Sequence, residues 1–494
     1  MNTSSAATVD SLSVNHWHHS FDVVVVGYGG AGACAAIAAH DSGAQVAIFD
    51  VASAAGGSTA LSSAELYLGG GTRIQKACGY DDTPQAMYDY LIASNGPQAD
   101  SEKIRAYCDG SVEHFDWLEK LGVPFKESEY KQRAMMALSD DCLLYTGNEK
   151  TQPFAALSPP APRGHNLKIK GDNGGPLFIK VLSAALAERN IAEFFNSRAL
   201  RLVVDSTTEQ TKVVGVVFRI DMQEIFVEAR SGVVLCSGGF VMNQKMVAEY
   251  APQLLRCTVP IGNPGDTGSG IAMGVEAGGV AINMHEGFVS LPFYPPASLT
   301  YGIFINQQCQ RFINEDAYHG RVGAALLEQR SERIYLLLNV EDYGDYETRS
   351  YLGAPVAATG DTVAELAEEL GLNSFLLERC VESYNHFASA GEDPQFEKNS
   401  EWLKCLNGPL VALDCTPGRG AHMPYFTLGG LKTSVTGEVL DRAEQPIAGL
   451  YAAGRTACGV PRRGDGYCSG ISVADASFSG RVAGQAAANS KKLR

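Results

Sequence analysis

No Cys-x-x-Cys pair occurs anywhere in the 494-residue chain, and none of its twelve cysteines lies nearer than ten residues to another. That removes the usual signature of zinc and iron–sulfur centres, and no metal site is expected. Scattered cysteines of this kind read as reduced, buried thiols of a cytoplasmic protein. Long apolar runs are also missing: none approaches the roughly 18 residues a membrane span needs. Residues 1–21, MNTSSAATVDSLSVNHWHHSF, lack a basic start and an apolar centre, so they are not a signal peptide. Residues 1–20 read as a flexible polar leader, with His16, His18 and His19 solvated in it. Positive charge is in deficit, 39 Lys and Arg against 55 Asp and Glu, a net charge of −16. No basic stripe exists for a nucleic acid, and anionic membrane surfaces are disfavoured.

Glycine is what the chain has in quantity, 53 residues in short clusters without a repeat. Such clusters suit loops that lie close to a ligand. In FDVVVVGYGGAGACAAIAAHDSGAQVAIFD (21–50), four valines at 23–26 form a buried strand of the parallel type. Gly27-x-Gly29-Gly30-Ala31-Gly32 then opens an alanine-rich helix, and a second strand ends at Asp50, eighteen residues after Gly32. Gly27 permits the tight turn, and Gly29 lets a pyrophosphate reach the helix N-terminus. Gly32 permits close strand–helix packing, and Asp50 can accept from a ribose diol. In this context the glycine motif is a specific dinucleotide signal. The following segment, AAGGSTALSSAELYLGGGT (54–72), argues for FAD, with Gly57, Ser58, Thr59, Ser62 and Ser63 suited to wrapping an extended cofactor. No histidine lies between 51 and 72, so the FAD is expected to be non-covalent.

Helical spacing marks 100–121 and 177–189, and strands are expected at 199–205, 212–220 and 223–229. Residues 122–176, rich in proline and glycine, are too long for a plain connector and read as covering a site. A buried strand enters a glycine turn at GVVLCSGGF (232–240), with Gly238 in the turn. Asp266 lies in GNPGDTGSG (262–270). A central block with mixed strands and helices (361–370, 373–387) follows, and IAGLYAAGR (447–455) brings the chain back before a helix over 471–486. The nucleotide domain is therefore discontinuous: 21–282 and 427–494, with a catalytic domain inserted at 283–426. The fold class is α/β, a Rossmann-like FAD-binding domain of the glutathione-reductase type with an inserted α+β capping domain.

GYGGAG with GGST, QRFINED (310–316), TLGGL (427–431) and GLYAAGR (449–455) resemble the fumarate reductase/succinate dehydrogenase flavoprotein superfamily. Within it, LYLGGGTRIQKACGYDD (66–82), GVPFKES (122–128), APRGH (161–165), FINEDAYHGRVG (312–323) and AAGRTACGV…GYCSG (452–470) look most like the 3-ketosteroid Δ4-(5α)-dehydrogenases. The resemblance covers nearly the whole chain after residue 20. It implies FAD-dependent introduction of a C4–C5 double bond into a 3-ketosteroid, with the proton leaving C4 and the hydride passing from C5 to flavin. It implies Tyr318, Tyr467 and Ser469 as catalytic residues: Tyr467 at the C3 carbonyl, Ser469 with Tyr318 as a proton relay. Gly454, Arg455, Gly470, Ile471 and Ser472 join the FAD contacts. In PRRGDGYCSGIS (461–472), Gly464 and Gly466 are expected to let the loop lie against the flavin and substrate, and Ser469 to share a side with Tyr467 if the segment is extended.

The resemblance leaves alternatives open. Δ1-dehydrogenation draws on further tyrosines such as Tyr130 and Tyr145. An ene-reductase of the fumarate reductase type would act on an enone or unsaturated acid, with Arg462 and Arg463 as a carboxylate clamp. These two arginines and Asp465 are alternatively expected at the pocket mouth, selecting a substrate with a polar tail. A flavin-binding sensor without turnover is the non-enzyme reading. The partners expected are a steroid-like apolar small molecule and an external electron acceptor, a quinone or a protein.

Overall fold

The structure, a computed structural model, describes residues 8–133, 137–171, 173–207, 211–291, 297–343, 354–419 and 421–490. Its centre is a nine-stranded sheet in the order Val9–Asp10, Arg198–Asp205, Lys212–Ile220, Pro446–Ala452, Gln223–Leu235, His19–Val26, Val46–Phe49, Ala192–Phe194, with Glu438–Leu440 paired to Pro446–Ala452. From Pro446–Ala452 to Ala192–Phe194 the strands run parallel. Val23 to Val26 are at most 5% exposed, as a parallel strand covered on both faces requires. The fold is α/β with an FAD-binding domain and a capping domain.

Register brings three turns to one edge of this sheet. Val26 pairs with both Phe49 and Leu235, and Leu235 pairs with Ala452. The chain leaves these strands at Gly27, Cys236 and Ala453, so the three glycine-bearing turns lie side by side at the carboxyl ends, where open α/β sheets bind ligands. Gly27 has φ +106°, and a Cβ on Gly32 would lie 1.8 Å from the Gly27 carbonyl oxygen. Neither position tolerates a side chain.

The alanines of Gly30–Asp41 have a packing reason. The C-terminal helix Ile471–Asn489 lies directly on them, and a Cβ on Gly480 or Gly484 would come within 2.2 or 2.1 Å of the Ala31 or Ala35 carbonyl oxygen. Small residues on both helices allow this close approach, which fixes the start of the C-terminal helix against the first glycine turn.

Two expectations are corrected here. Residues 1–7 of the expected leader lie outside the described residues. From residue 8 onward it is part of the sheet: Val9–Asp10 pairs with Arg198–Asp205, His18 Nδ1 accepts from Phe226 N–H at 3.1 Å, and the strand begins at His19, not Val23. The strands expected at 223–229 and from 232 are one strand, Gln223–Leu235. It pairs antiparallel with Lys212–Ile220, then bulges between Ala229 and Gly232 and continues into the parallel core.

Beyond the nucleotide sheet, Ile303–Asn306, Ile334–Asn339, Leu410–Asp414 and Val356–Gly360 form a separate antiparallel sheet covered by the helices Val363–Leu370 and Ser374–Ala388. The irregular segment 122–171 is stitched to the rest by buried polar pairs. Arg163 and Asp82, both fully buried, bond at 2.7 and 3.0 Å. The twelve cysteines are all free thiols. Among the described residues no helix is long and apolar enough to cross a membrane.

Candidate active site

The residues expected at the cofactor converge on the sheet edge. Asp50 accepts the backbone N–H of Tyr28 at 2.6 Å and of Ala52 at 2.7 Å, which holds its carboxylate beside the first turn. Thr59 Oγ1 accepts from the Gly30 N–H at 3.0 Å, folding the loop containing Gly57 and Ser62 onto Gly29 and Gly30. Ser58 serves a different purpose: its hydroxyl donates to Asp266 and accepts from the Asn263 N–H at 2.8 Å, tying two loops together. Asp266 in turn abuts Gly238, where a Cβ would fall 1.9 Å from its Oδ1. Burial pushes the Asp266 carboxyl up, against the Ser58 hydroxyl and the Arg455 charge.

Gly454 and Arg455 follow the third turn. The Arg455 guanidinium lies 3.8 Å over the Phe426 ring and donates to the Thr427 carbonyl at 2.5 Å and to Ser472 Oγ at 2.8 Å. Gly470, Ile471 and Ser472 form the start of the C-terminal helix. The donor set fits FAD. The N-cap of the helix Gly30–Asp41, Gly29, supplies no side-chain cap, and beyond the Gly30 N–H held by Thr59 the first turn suits an anion. An acid closes the second strand, and a second helix begins at the same edge.

The three expected catalytic residues are brought into one region. Tyr318 caps the helix His319–Glu328, and its N–H donates to Asn148 Oδ1 at 2.8 Å. The chain before it is pinned by Arg311, which binds Glu315 and Asp393 at 2.9 Å each in a buried ion cluster completed by Lys398. QRFINED is thus the foundation under Tyr318. Ser469 is held by Thr146: its N–H donates to the Thr146 carbonyl at 2.8 Å, and its own carbonyl accepts the Thr146 hydroxyl at 3.0 Å. The Tyr318 and Ser469 hydroxyls share a hydrogen bond of 2.5 Å.

Tyr467 stands beside this pair with a different partner. Its hydroxyl donates to Ser472 Oγ at 2.9 Å, and its ring packs 4.5 Å from Phe288. The segment 461–470 consists of turns, so Tyr467 and Ser469 do not share a strand face. Burial pushes the Tyr467 phenol up to about 12, opposed by the Arg455 charge and the Ser472 hydroxyl. Tyr318 is raised further by burial and by Tyr467. Both are neutral donors at neutral pH.

The loop glycines have another reason than the one expected. A Cβ on Gly464 would meet the Gly287 carbonyl oxygen at 2.1 Å, and one on Gly466 the Ser94 carbonyl oxygen at 1.8 Å. They make room for protein backbone. The arginines of this loop are engaged as well: Arg462 binds Asp100 at 2.7 Å and Arg463 binds Asp465 at 2.5 Å.

A cavity of about 360 Å³ opens in front of Tyr318 and His319, within the range of small-molecule sites. Tyr130, Tyr145, Leu291, Leu299 and Trp402 supply much of its wall, while Arg462 and Arg463 do not reach it. Of the segment 122–176 expected to cover a site, Tyr130–Arg133 and residues between Tyr145 and Thr151 line this cavity. A larger hollow of about 640 Å³ at Leu138–Asp140 is open to the surface, shares Tyr130 and Gln132 with the first cavity and touches none of Tyr318, Tyr467 and Ser469.

Sequence reasoning did not single out Glu65, Thr146 or Asn148, which surround the hydroxyl pair. A buried acid in a small-residue segment was the one available signal. Thr146 and Asn148 carried none, since their roles depend on contacts 170 or more residues away.

Known proteins share this architecture. A family model described as an FAD binding domain matches residues 22–468. The solved 3-ketosteroid-Δ4-(5α)-dehydrogenase from Rhodococcus jostii, in complex with 4-androstene-3,17-dione, superimposes with a TM-score of 0.92 at 38% identity, covering 98% of this chain and 100% of that one. The 3-oxo-5-alpha-steroid 4-dehydrogenase of Comamonas testosteroni is 27% identical over 90% of this chain and 94% of its own length. The cytochrome-type fumarate reductase of Shewanella frigidimarina is 27% identical over 96% of this chain and 78% of its own. The chain belongs to the FAD binding domain family of flavoprotein oxidoreductases, with FAD as its cofactor.

Proposed function

We propose that this protein is an FAD-dependent 3-ketosteroid dehydrogenase that introduces the C4–C5 double bond. The observation that carries this reading is the 2.5 Å Tyr318–Ser469 hydrogen bond, with Tyr318 at the wall of a cavity lined by aromatic and aliphatic side chains alongside charged ones, and a second neutral phenol, Tyr467, near the pair. FAD, when bound, supplies the acceptor for the C5 hydride. The protein's own work is to polarise the C3 carbonyl and to take the C4 proton.

A neutral phenol donates to a developing enolate without burying a charge. Tyr467 meets this need, with its hydroxyl turning from Ser472 Oγ to the carbonyl oxygen. Ser469 is a weak base alone and needs a partner. Tyr318 is that partner, because a proton arriving on one hydroxyl shifts directly to the other. Packing of Tyr467 against Phe288, and the Asn148 bond to Tyr318, hold these groups in place.

The dicarboxylate reading loses its clamp, since Arg462 and Arg463 are already ion-paired and lie outside the cavity. The electron acceptor in turnover is an external quinone or protein. Anaerobic stopped-flow reduction of bound FAD with 5α-, 5β- and 4-ene-3-keto steroids, followed by product identification, tests the function. Bleaching by saturated ketones with a 4-ene product is expected. A 1-ene product from a 4-ene substrate would assign the Δ1 reaction instead, and no bleaching by any of them would refute the reading.

A further inference from the structure

Behind the Tyr318–Ser469 pair lies an acid that the chemistry above does not use. Glu65, directly before the strand Leu66–Tyr67, is 2% exposed, and neither carboxyl oxygen has a hydrogen-bond partner. It packs against the loop that carries Ser469: a Cβ on Gly470 would lie 3.1 Å from Glu65 Cγ. Thr146, which neighbours the Glu65 carboxyl, is the residue that clamps the Ser469 backbone from both sides, its hydroxyl donating to the Ser469 carbonyl. Tyr318 also feels the Glu65 charge. An acid buried without partners is unfavourable, and its place beside the hydroxyl pair points to chemistry.

The relay creates a need for such a group. Two neutral hydroxyls in contact can pass a proton but not keep one, so a proton drawn from carbon requires a further acceptor. The alternatives near the pair are unsuitable. His319, whose Nε2 is also unpartnered, is held down to about 3 by burial and by the Arg133 charge, and so resists protonation. Glu149 already accepts the Tyr67 hydroxyl at 2.8 Å and the Gly147 N–H at 2.9 Å. Asp316 accepts the Asn399 N–H at 3.1 Å and faces Arg133.

We propose that Glu65 is the terminal acceptor of the proton removed from C4, acting through Ser469 and Tyr318 and not on the substrate itself. The C4–H bond breaks and its electron pair forms the C4–C5 double bond as the hydride leaves C5 for FAD. The hydroxyl pair takes the proton and passes one on to the Glu65 carboxylate, which becomes the neutral acid. This inference rests on the proposed function.

The groups facing Glu65 are Thr146, Glu149, Tyr318 and Cys468. Burial pushes the Glu65 carboxyl up to about 8, the Thr146 hydroxyl opposes this, and the Glu149 charge adds to it. The accepting form therefore grows as pH rises through that value, and the step accelerates about tenfold between roughly pH 7 and pH 9. The test compares the wild-type holoenzyme with Glu65→Gln, which keeps the shape but cannot take the proton. In anaerobic bleaching of bound FAD by a saturated 3-keto steroid, the variant is expected to be at least about tenfold slower at about pH 9 and to lose the pH rise, with FAD content and steroid binding unchanged.

A second readout needs no substrate. The infrared carbonyl band of a buried neutral carboxylic acid should titrate near 8 in the wild type and be absent in the variant. A variant that bleaches with the wild-type profile overturns the role of Glu65 alone. So does a wild type whose band has vanished by about pH 6, and this holds even if the variant fails to fold. A wild type that no 3-keto steroid bleaches overturns the proposed function and this role with it.

Discussion

Removing either hydroxyl of the Tyr318–Ser469 pair should disable the proton relay, and removing both should cost little more. In Tyr318→Phe, Ser469 Oγ loses its 2.5 Å partner. In Ser469→Ala, Tyr318, only 5% exposed, loses its own. A buried hydroxyl left unpaired costs about 1–3 kcal/mol, and a positioned acid–base group contributes about 10²–10⁴ in rate. Each single variant should therefore slow anaerobic flavin bleaching by about 100-fold or more, with bound FAD retained, since neither side chain is among the proposed FAD contacts. Groups that act as one unit give non-additive losses. The double variant is expected within about tenfold of the worse single one. Rate losses that multiply in the double variant, or full turnover in Ser469→Ala, would refute the shared relay. Tyr467→Phe serves as the contrast: it acts on the carbonyl, so its loss should multiply with that of Ser469→Ala.

Further expectations follow from the same geometry. Gly32→Ala places a Cβ 1.8 Å from the Gly27 carbonyl oxygen, so the purified variant should lack FAD absorbance. Asp82→Asn leaves the fully buried Arg163 without its counter-ion. A loss of about 3–5 kcal/mol in denaturant unfolding is expected, and little change would show the pair to be dispensable. Burial pushes the Asp82 carboxyl up, but the Arg163 bond and charge, the Gly70 N–H and Gln75 outweigh it and hold it low, so the wild-type pair loses its contribution only as pH falls through the acid range. Glu65 has the opposite sign. Its folded-state value of about 8 lies above the ordinary 4.5, so its stabilising effect is complete below 4.5 and is lost as pH rises toward 8. Glu65→Gln should raise the melting temperature more at pH 9 than at pH 5, and equal shifts at both would contradict the assignment.

Local rules made much of this molecule readable. A valine run, a glycine turn and an alanine-rich helix can form only a few structures, and their order identified the nucleotide sheet, the helix Ser101–Lys120 and the C-terminal helix near their observed limits. The leader was misread because Val9–Asp10 has no local reason to be a strand; its order comes from pairing with Val203 and Val204. Gly464 and Gly466 were assigned to a ligand because a glycine shows that something comes close but not what. The close neighbours are the backbones of Gly287 and Ser94, distant in the chain.

The chain's own residues thus determined the α/β class and the FAD-type turn, since these depend on spacing within a few dozen residues, while the three hydroxyl groups were singled out through the family resemblance. Only the tertiary structure decided that Ser469 meets Tyr318 while Tyr467 turns to Ser472, that the loop arginines are already paired, and that an unpartnered acid lies under the relay. The Ser469–Tyr318 and Arg462–Asp100 contacts join segments more than a hundred residues apart, and the short-range Tyr467–Ser472 and Arg463–Asp465 contacts depend on how the loop is folded and buried, which no local pattern encodes.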